Sequence, residues 1–156
     1  MRRHVGLDDD IAILSAAPLF GFMDRDALRL LSFAAERRSL AAGERLFARG
    51  ERADGGFVVM SGTLTLTPHG AQAAPVTVGR SSLIGRLALF QRGERPCDAD
   101  AAQAAEVVRI TPTLMRRVLE EFPDAARAIH ADLRSDLADF AGSLVGLSVR
   151  FDAIAP

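Results

Sequence analysis

The chain has 156 residues and a mass of 16.7 kDa, the size of one ordinary domain. Hydrophobic residues make up 49% and charged residues 25%, a balance that supplies a packed core and argues against disorder. The net charge of −1 argues against a globally basic nucleic-acid binder and leaves only a local patch open.

Residues 8–34 read as helical. Asp8 to Asp10 are expected to provide an N-cap and first-turn negative charge ahead of Ile11-Ala12-Ile13-Leu14. Pro18 and Gly21 break that helix. Asp24 is placed to cap a second one, with Leu28, Leu31 and Phe33 expected to face a core.

Residues 35–111 change character. Glycines recur at turn-like intervals, and short β-favouring runs lie between them: Phe57-Val58-Val59-Met60, Pro75-Val76-Thr77-Val78 and Glu106-Val107-Val108-Arg109-Ile110. Thr63-Leu64-Thr65-Leu66-Thr67 alternates strictly, as a half-buried strand does. Many short strands with glycine turns predict an antiparallel barrel or jelly roll.

Residues 112–149 return to helix. Thr111 is placed to cap a helix with Pro112 at its first position, and that helix runs to Phe122 and stops at Pro123. A longer helix follows from about Asp124. Its apolar positions Ile129, Leu133, Leu137, Phe140, Leu144 and Leu147 form one stripe, close to a heptad seam. The stripe fits either a parallel dimer or packing back onto the chain's own roll.

The run Ala42-Gly43-Glu44-Arg45-Leu46-Phe47, continuing through Gly50, Asp54 and Phe57 to Gly62, resembles the cyclic nucleotide-binding domain family. Gly43, Gly50, Phe57 and Gly62 fall on the family's glycine and aromatic positions. The likeness extends over about residues 10–149. It implies an α+β, mainly β fold: an antiparallel double-stranded β-roll flanked by N-terminal helices and a long C-terminal helix. It also implies a single domain over 1–156 and a regulatory function, with cyclic AMP or cyclic GMP as ligand and no other cofactor.

The same resemblance implies a phosphate-binding cassette over Gly85-Arg86-Leu87-Ala88, closed ten residues after Gly85 by Arg95-Pro96-Cys97. Arg95 matches the arginine that clamps the cyclic phosphate with charge-assisted hydrogen bonds. Gly85 lets the backbone approach the ligand. Arg86 stands where the family has a ribose-binding glutamate, and a guanidinium has donors only, so it cannot accept the 2′-hydroxyl proton. Either Arg86 turns outward and the pocket is vestigial, or the pocket reads a more anionic ligand. Ser81 replaces a customary glycine. Pro96 removes a backbone donor. Asp98 and Asp100 would oppose phosphate if they pointed inward, unless they paired with Arg86 and Arg95. On the last helix, Phe140 and Ala141 match positions of purine recognition, and Phe140 with Leu137 also lies on the stripe.

The remaining chemistry is sparse. Cys97 is the only cysteine, so an internal disulfide and a Cys-rich zinc site are excluded, and a reducing cytoplasmic compartment is expected. His4, His69 and His130 lie far apart, so no cupin-type metal enzyme is expected. No apolar run is long enough to span a bilayer. Only Val149 to Pro156 follow the last helix, so no helix-turn-helix and no direct DNA binding are expected. Two functions stay open: a ligand sensor acting through a homodimer or an effector protein, and a degenerate module that binds no nucleotide and serves dimerisation or protein interaction.

Overall fold

The computed structural model describes residues 6–70 and 74–135. In chain order these form α1 (Leu7–Ser15), a 3-10 turn (Phe20–Phe22), α2 (Arg25–Ala34) and β1 (Glu36–Leu40). Then follow β2 (Arg45–Phe47), β3 (Arg52–Ala53), β4 (Gly56–Ser61), β5 (Leu64–Pro68), β6 (Val76–Val78) and β7 (Leu83–Ile84). A short 3-10 helix, Arg86–Leu89, leads into β8 (Gly93–Glu94), β9 (Cys97–Ala101), β10 (Ala105–Ile110) and α3 (Pro112–Glu121). Residues 123–135 are helical and are called α4.

The strands make two four-stranded antiparallel sheets, β1-β10-β4-β7 and β2-β9-β5-β6, with β3 and β8 paired as a separate ribbon. The fold is therefore mainly antiparallel β with helices at both ends of the chain, the architecture expected from the sequence.

Strand β4 explains why its sequence is a continuous apolar run rather than an alternating one. Val58 and Met60 point into a core shared with α1, α2, α3 and α4. Phe57 and Val59 point into the roll, against Leu46, Phe47, Leu64, Ile84 and Val107. A strand covered on both faces needs apolar side chains at every position. Strand β5 is covered more on one face, and there Leu64 is fully buried while Thr65 and Thr67 are half-buried.

Two caps behave as their residues dictate. The Asp24 carboxylate accepts from the Ala27 N–H at 2.9 Å, and the Thr111 hydroxyl accepts from the Leu114 N–H at 3.1 Å. The N-cap of α1 is different. Gly6 takes that position and no side chain caps it, so Asp8 to Asp10 lie inside the first turn. Asp10 is buried there and pairs with Arg37, which also reaches Glu106, so its charge anchors α1 to the sheet. Phe33 also departs from expectation, at 75% exposed. It lies two residues, about 200°, round the helix from buried Leu31, which turns it away from the core.

Helix α4 starts on the core. Ala125 and Ile129 are buried in the helical cluster and Leu133 packs against it. The described part of the apolar stripe thus faces this domain's own core. Leu137, Phe140, Ala141, Leu144 and Leu147 lie outside the described residues. Among the described residues, no helix is long and apolar enough to cross a membrane.

Candidate functional site

Gly85 ends β7 in the left-handed conformation, φ 76° and ψ 47°, and is the N-cap of the 3-10 helix. A Cβ built there would lie 2.7 Å from Nη1 of Arg95, so only glycine leaves room for that guanidinium. Gly56, which opens β4, has a similar task. Its Cβ would lie 2.8 Å from Leu89, so glycine at this point lets the 3-10 helix rest on the strand. In sequence, Gly55-Gly56 reads only as a turn.

Arg95 is held by both its backbone and its side chain. Its N–H donates to the Glu51 carbonyl at 2.8 Å, and its carbonyl accepts from Gly50 N–H at 2.9 Å. The adjoining β3–β8 ribbon continues this pairing through Arg52 with Glu94 and Ala53 with Gly93. The residue is 5% exposed. Its guanidinium carbon lies 4.5 Å from the ring centre of Phe47 and 5.2 Å from that of Phe57, within cation–π range of both. The two rings are themselves stacked, with centres 6.1 Å apart. Nη1 is buried and has no hydrogen-bond partner among the described residues. Burial lowers the guanidinium's proton affinity, while the charges of Asp54 and Glu51 work in the other direction. An arginine remains charged at any physiological pH, so an incompletely satisfied cation stays in the protein interior.

A cavity of about 420 Å³ lies beside it. Of the residues singled out in sequence, Gly85, Arg86, Leu87, Ala88, Arg95 and Pro96 all line it. Leu87 is 68% exposed, while Ala88 and Leu89 of the same 3-10 helix are buried. Arg95 also lines a smaller cavity of about 250 Å³ between β1, β2, β4 and β10.

Cys97 is separated from this group. It is half-buried and packs against the roll core. Burial first, then the charge of Asp98, pushes its thiol pKa up, so it is a poor nucleophile.

Arg86 does not turn away into solvent. Its Nη2 donates to Asp132 of α4 at 3.0 Å, and the side chain is about one-third exposed. The sequence reading names no partner on α4. Asp98 and Asp100 pair with neither Arg86 nor Arg95. Asp98 accepts from the Arg49 N–H at 2.7 Å and meets His69 Nε2 at 3.0 Å, while Asp100 binds Arg45 at 2.9 Å. They share the face of β9 opposite Ala99 and Ala101, which are the buried ones. Ser81 takes the left-handed conformation that favours glycine, φ 67°, and its hydroxyl donates to the Ile13 carbonyl at 2.8 Å. Phe47 and Phe57 are the aromatic members of the site. The signal that could have found them is their inward register on β2 and β4.

A β-roll with helices at both ends has the fold of a regulatory domain of the cyclic nucleotide-binding type. The chain belongs to the cyclic nucleotide-binding domain family, whose model matches residues 37–122, more than half of its length. It is similar to a cyclic nucleotide-binding-like protein from Brucella abortus, with 39% identity and a TM-score of 0.64, over 72% of this chain and 99% of that one. It is also similar to the N-terminal domain of a transcriptional regulator from Streptomyces coelicolor, with 25% identity and a TM-score of 0.76, over 85% of this chain and 94% of that one. A curated relative, glutaminase 1 of Bradyrhizobium diazoefficiens, is 29% identical over 127 residues. These residues are 81% of this chain but 20% of that protein, so the chain spans about a fifth of the relative's length. A match of that extent carries no reading of the glutaminase reaction.

Proposed function

We propose that the chain is a regulatory sensor that takes a cyclic mononucleotide, cyclic AMP or cyclic GMP, or a closely related anion against the cassette. One observation carries this reading: Arg95 is a buried cation with an unpartnered Nη1, beside Gly85 and on the wall of a cavity lined by the cassette. A buried charge without full compensation costs several kcal/mol, and an anion bound there offsets that cost. In this reading Arg95 clamps the phosphate, Gly85 leaves it room, and Leu87 and Ala88 give the ligand an apolar wall.

Arg86 gives the reading its mechanism. A ligand that draws Arg86 toward its own anionic group competes with Asp132, so binding weakens the tie between cassette and α4. The ligand then favours one arrangement of the helix over another, which is the condition for any ligand-driven shift. The output passes along α4 to a second copy of the chain or to an effector protein.

Calorimetric titration with cyclic AMP and cyclic GMP, paired with thermal unfolding, tests this. Binding should raise the melting temperature by mass action, equivalent to about 2.7 kcal/mol at a hundredfold excess over Kd. Absence of any shift with both nucleotides would overturn the sensor reading. It would favour the second one, a module for dimerisation or protein interaction. Arg86 already satisfied by Asp132, and Pro96 without a backbone donor, support that alternative.

A further inference from the structure

A second cleft, of about 800 Å³, opens on the far side of the cassette's tail, between the β3 turn, the end of β10 and the start of α3. We propose that this cleft binds a nucleoside triphosphate, with its phosphates on a cluster of arginines and its base against Phe90. The volume is within the range of ordinary small-molecule sites, about 300–1,000 Å³.

The walls carry four guanidiniums, Arg52, Arg92, Arg109 and Arg116, against a single carboxylate, Asp54. Two of the four are engaged: Arg52 with Asp54 at 3.3 Å, and Arg109 with Glu36 at 2.7 Å. Arg92 and Arg116 make no ion pair or side-chain hydrogen bond among the described residues. Like charges gathered along a cleft sum to a positive potential, and a compact polyanion answers it better than a single charge does. Guanidinium forks bind phosphate oxygens bidentately, and the Thr113 hydroxyl on the same wall is a further donor. Phe90 offers a half-buried ring face for a base, and the neighbouring Gln91 amide can read its edge.

This site is distinct from the cassette cavity but shares two residues with it, because Gln91 and Arg92 line both. Phe90 to Arg92 directly follow the 3-10 helix. A triphosphate that takes Arg92 withdraws it from the cassette, so the two ligands are expected to weaken each other. That weakening is reciprocal by linkage. The triphosphate site itself does not rest on the cyclic nucleotide reading.

The test is calorimetry on the full chain with ATP, AMP and inorganic tripolyphosphate at moderate ionic strength. ATP should bind with a single site, tripolyphosphate more weakly, and AMP at least about tenfold more weakly than ATP. Arg116→Gln, an exposed change checked for unaltered melting temperature, should weaken ATP about tenfold and leave any cyclic AMP titration unmoved. Absence of ATP binding would overturn the proposal, as would ATP affinity indifferent to both Arg116→Gln and Arg92→Gln. ATP binding abolished by Arg95→Met would assign the heat to the cassette cavity and overturn it too. Tripolyphosphate binding as tightly as ATP would overturn the role of Phe90 and the base.

Discussion

Arg86 Nη2 and Asp132 Oδ2 stand 3.0 Å apart, joining the first residue of the cassette helix to α4 across 46 positions of sequence. Both side chains are about one-third exposed, so the pair contributes no more than about 1 kcal/mol to stability. Its value is positional, since it ties together the two elements whose relative placement the proposed sensor would change. Arg86→Glu should set two carboxylates against each other, lower the melting temperature and speed hydrogen exchange over 123–135. Adding Asp132→Arg should restore both. The swapped pair also puts a proton acceptor where the family reads a ribose hydroxyl, so cyclic AMP affinity should exceed that of the parent. A swap that restores stability without improving affinity would remove Arg86 from the ligand site.

Arg95 provides the opposite test, in which stability and binding move apart. Arg95→Met keeps the side chain's length and removes a buried charge. It loses the cation–π contacts with Phe47 and Phe57, which are worth about 0.5–2 kcal/mol, but ends a desolvation cost that exceeds them. The ligand-free protein should be more stable by about 1 kcal/mol in denaturant titration, by the same balance. The melting shift produced by cyclic nucleotides should vanish in the same variant. A destabilised variant would mean that the guanidinium is satisfied in solution and is not waiting for an anion.

These two arginines show what the sequence could and could not carry. Local chemistry was legible: the caps at Asp24 and Thr111 follow from residue type and spacing, whereas Gly85 and Arg95 came from the family resemblance and the two-sided burial of β4 from the structure. Gly85 and Arg95 are ten residues apart and are joined by the 3-10 helix and β8, so their meeting is nearly a local event. Asp132 is not local to Arg86, and nothing in its own neighbourhood distinguishes it from other helix-surface acids. The direction of Asp98 and Asp100 stayed open in the sequence for a related reason. Period-two alternation says that they share a face, but which face is fixed by partners on β2 and β5. Phe33 was misplaced because hydrophobicity outweighed helical phase.

Asp98 makes a prediction about acid. The Arg49 backbone N–H, and after it the His69 ring, hold its carboxyl pKa below the ordinary value of 3.8. The native state therefore binds fewer protons than the unfolded chain in this window. The stabilisation is fully present above the unfolded value and is lost as pH falls through the lower folded one. Melting temperatures of the parent and of Asp98→Asn should differ near neutral pH and converge in strong acid. A constant gap down to the acid limit would mean that the Asp98 charge contributes nothing.

Gly85 and Gly43 separate backbone strain from crowding. Both have positive φ, 76° and 84°, but a Cβ at Gly43 meets open space, while one at Gly85 lies 2.7 Å from Arg95 Nη1. Gly43→Ala should cost only the left-handed strain, about 1–2 kcal/mol. Gly85→Ala should cost that strain plus the displacement of a buried guanidinium, about 1 kcal/mol more by the usual scale of overpacking. In an Arg95→Met background the extra term should disappear, and Gly85→Ala should then match Gly43→Ala. This double-mutant cycle reads the Gly85–Arg95 contact directly. A Gly85→Ala cost that does not change with residue 95 would mean that the two do not meet in solution.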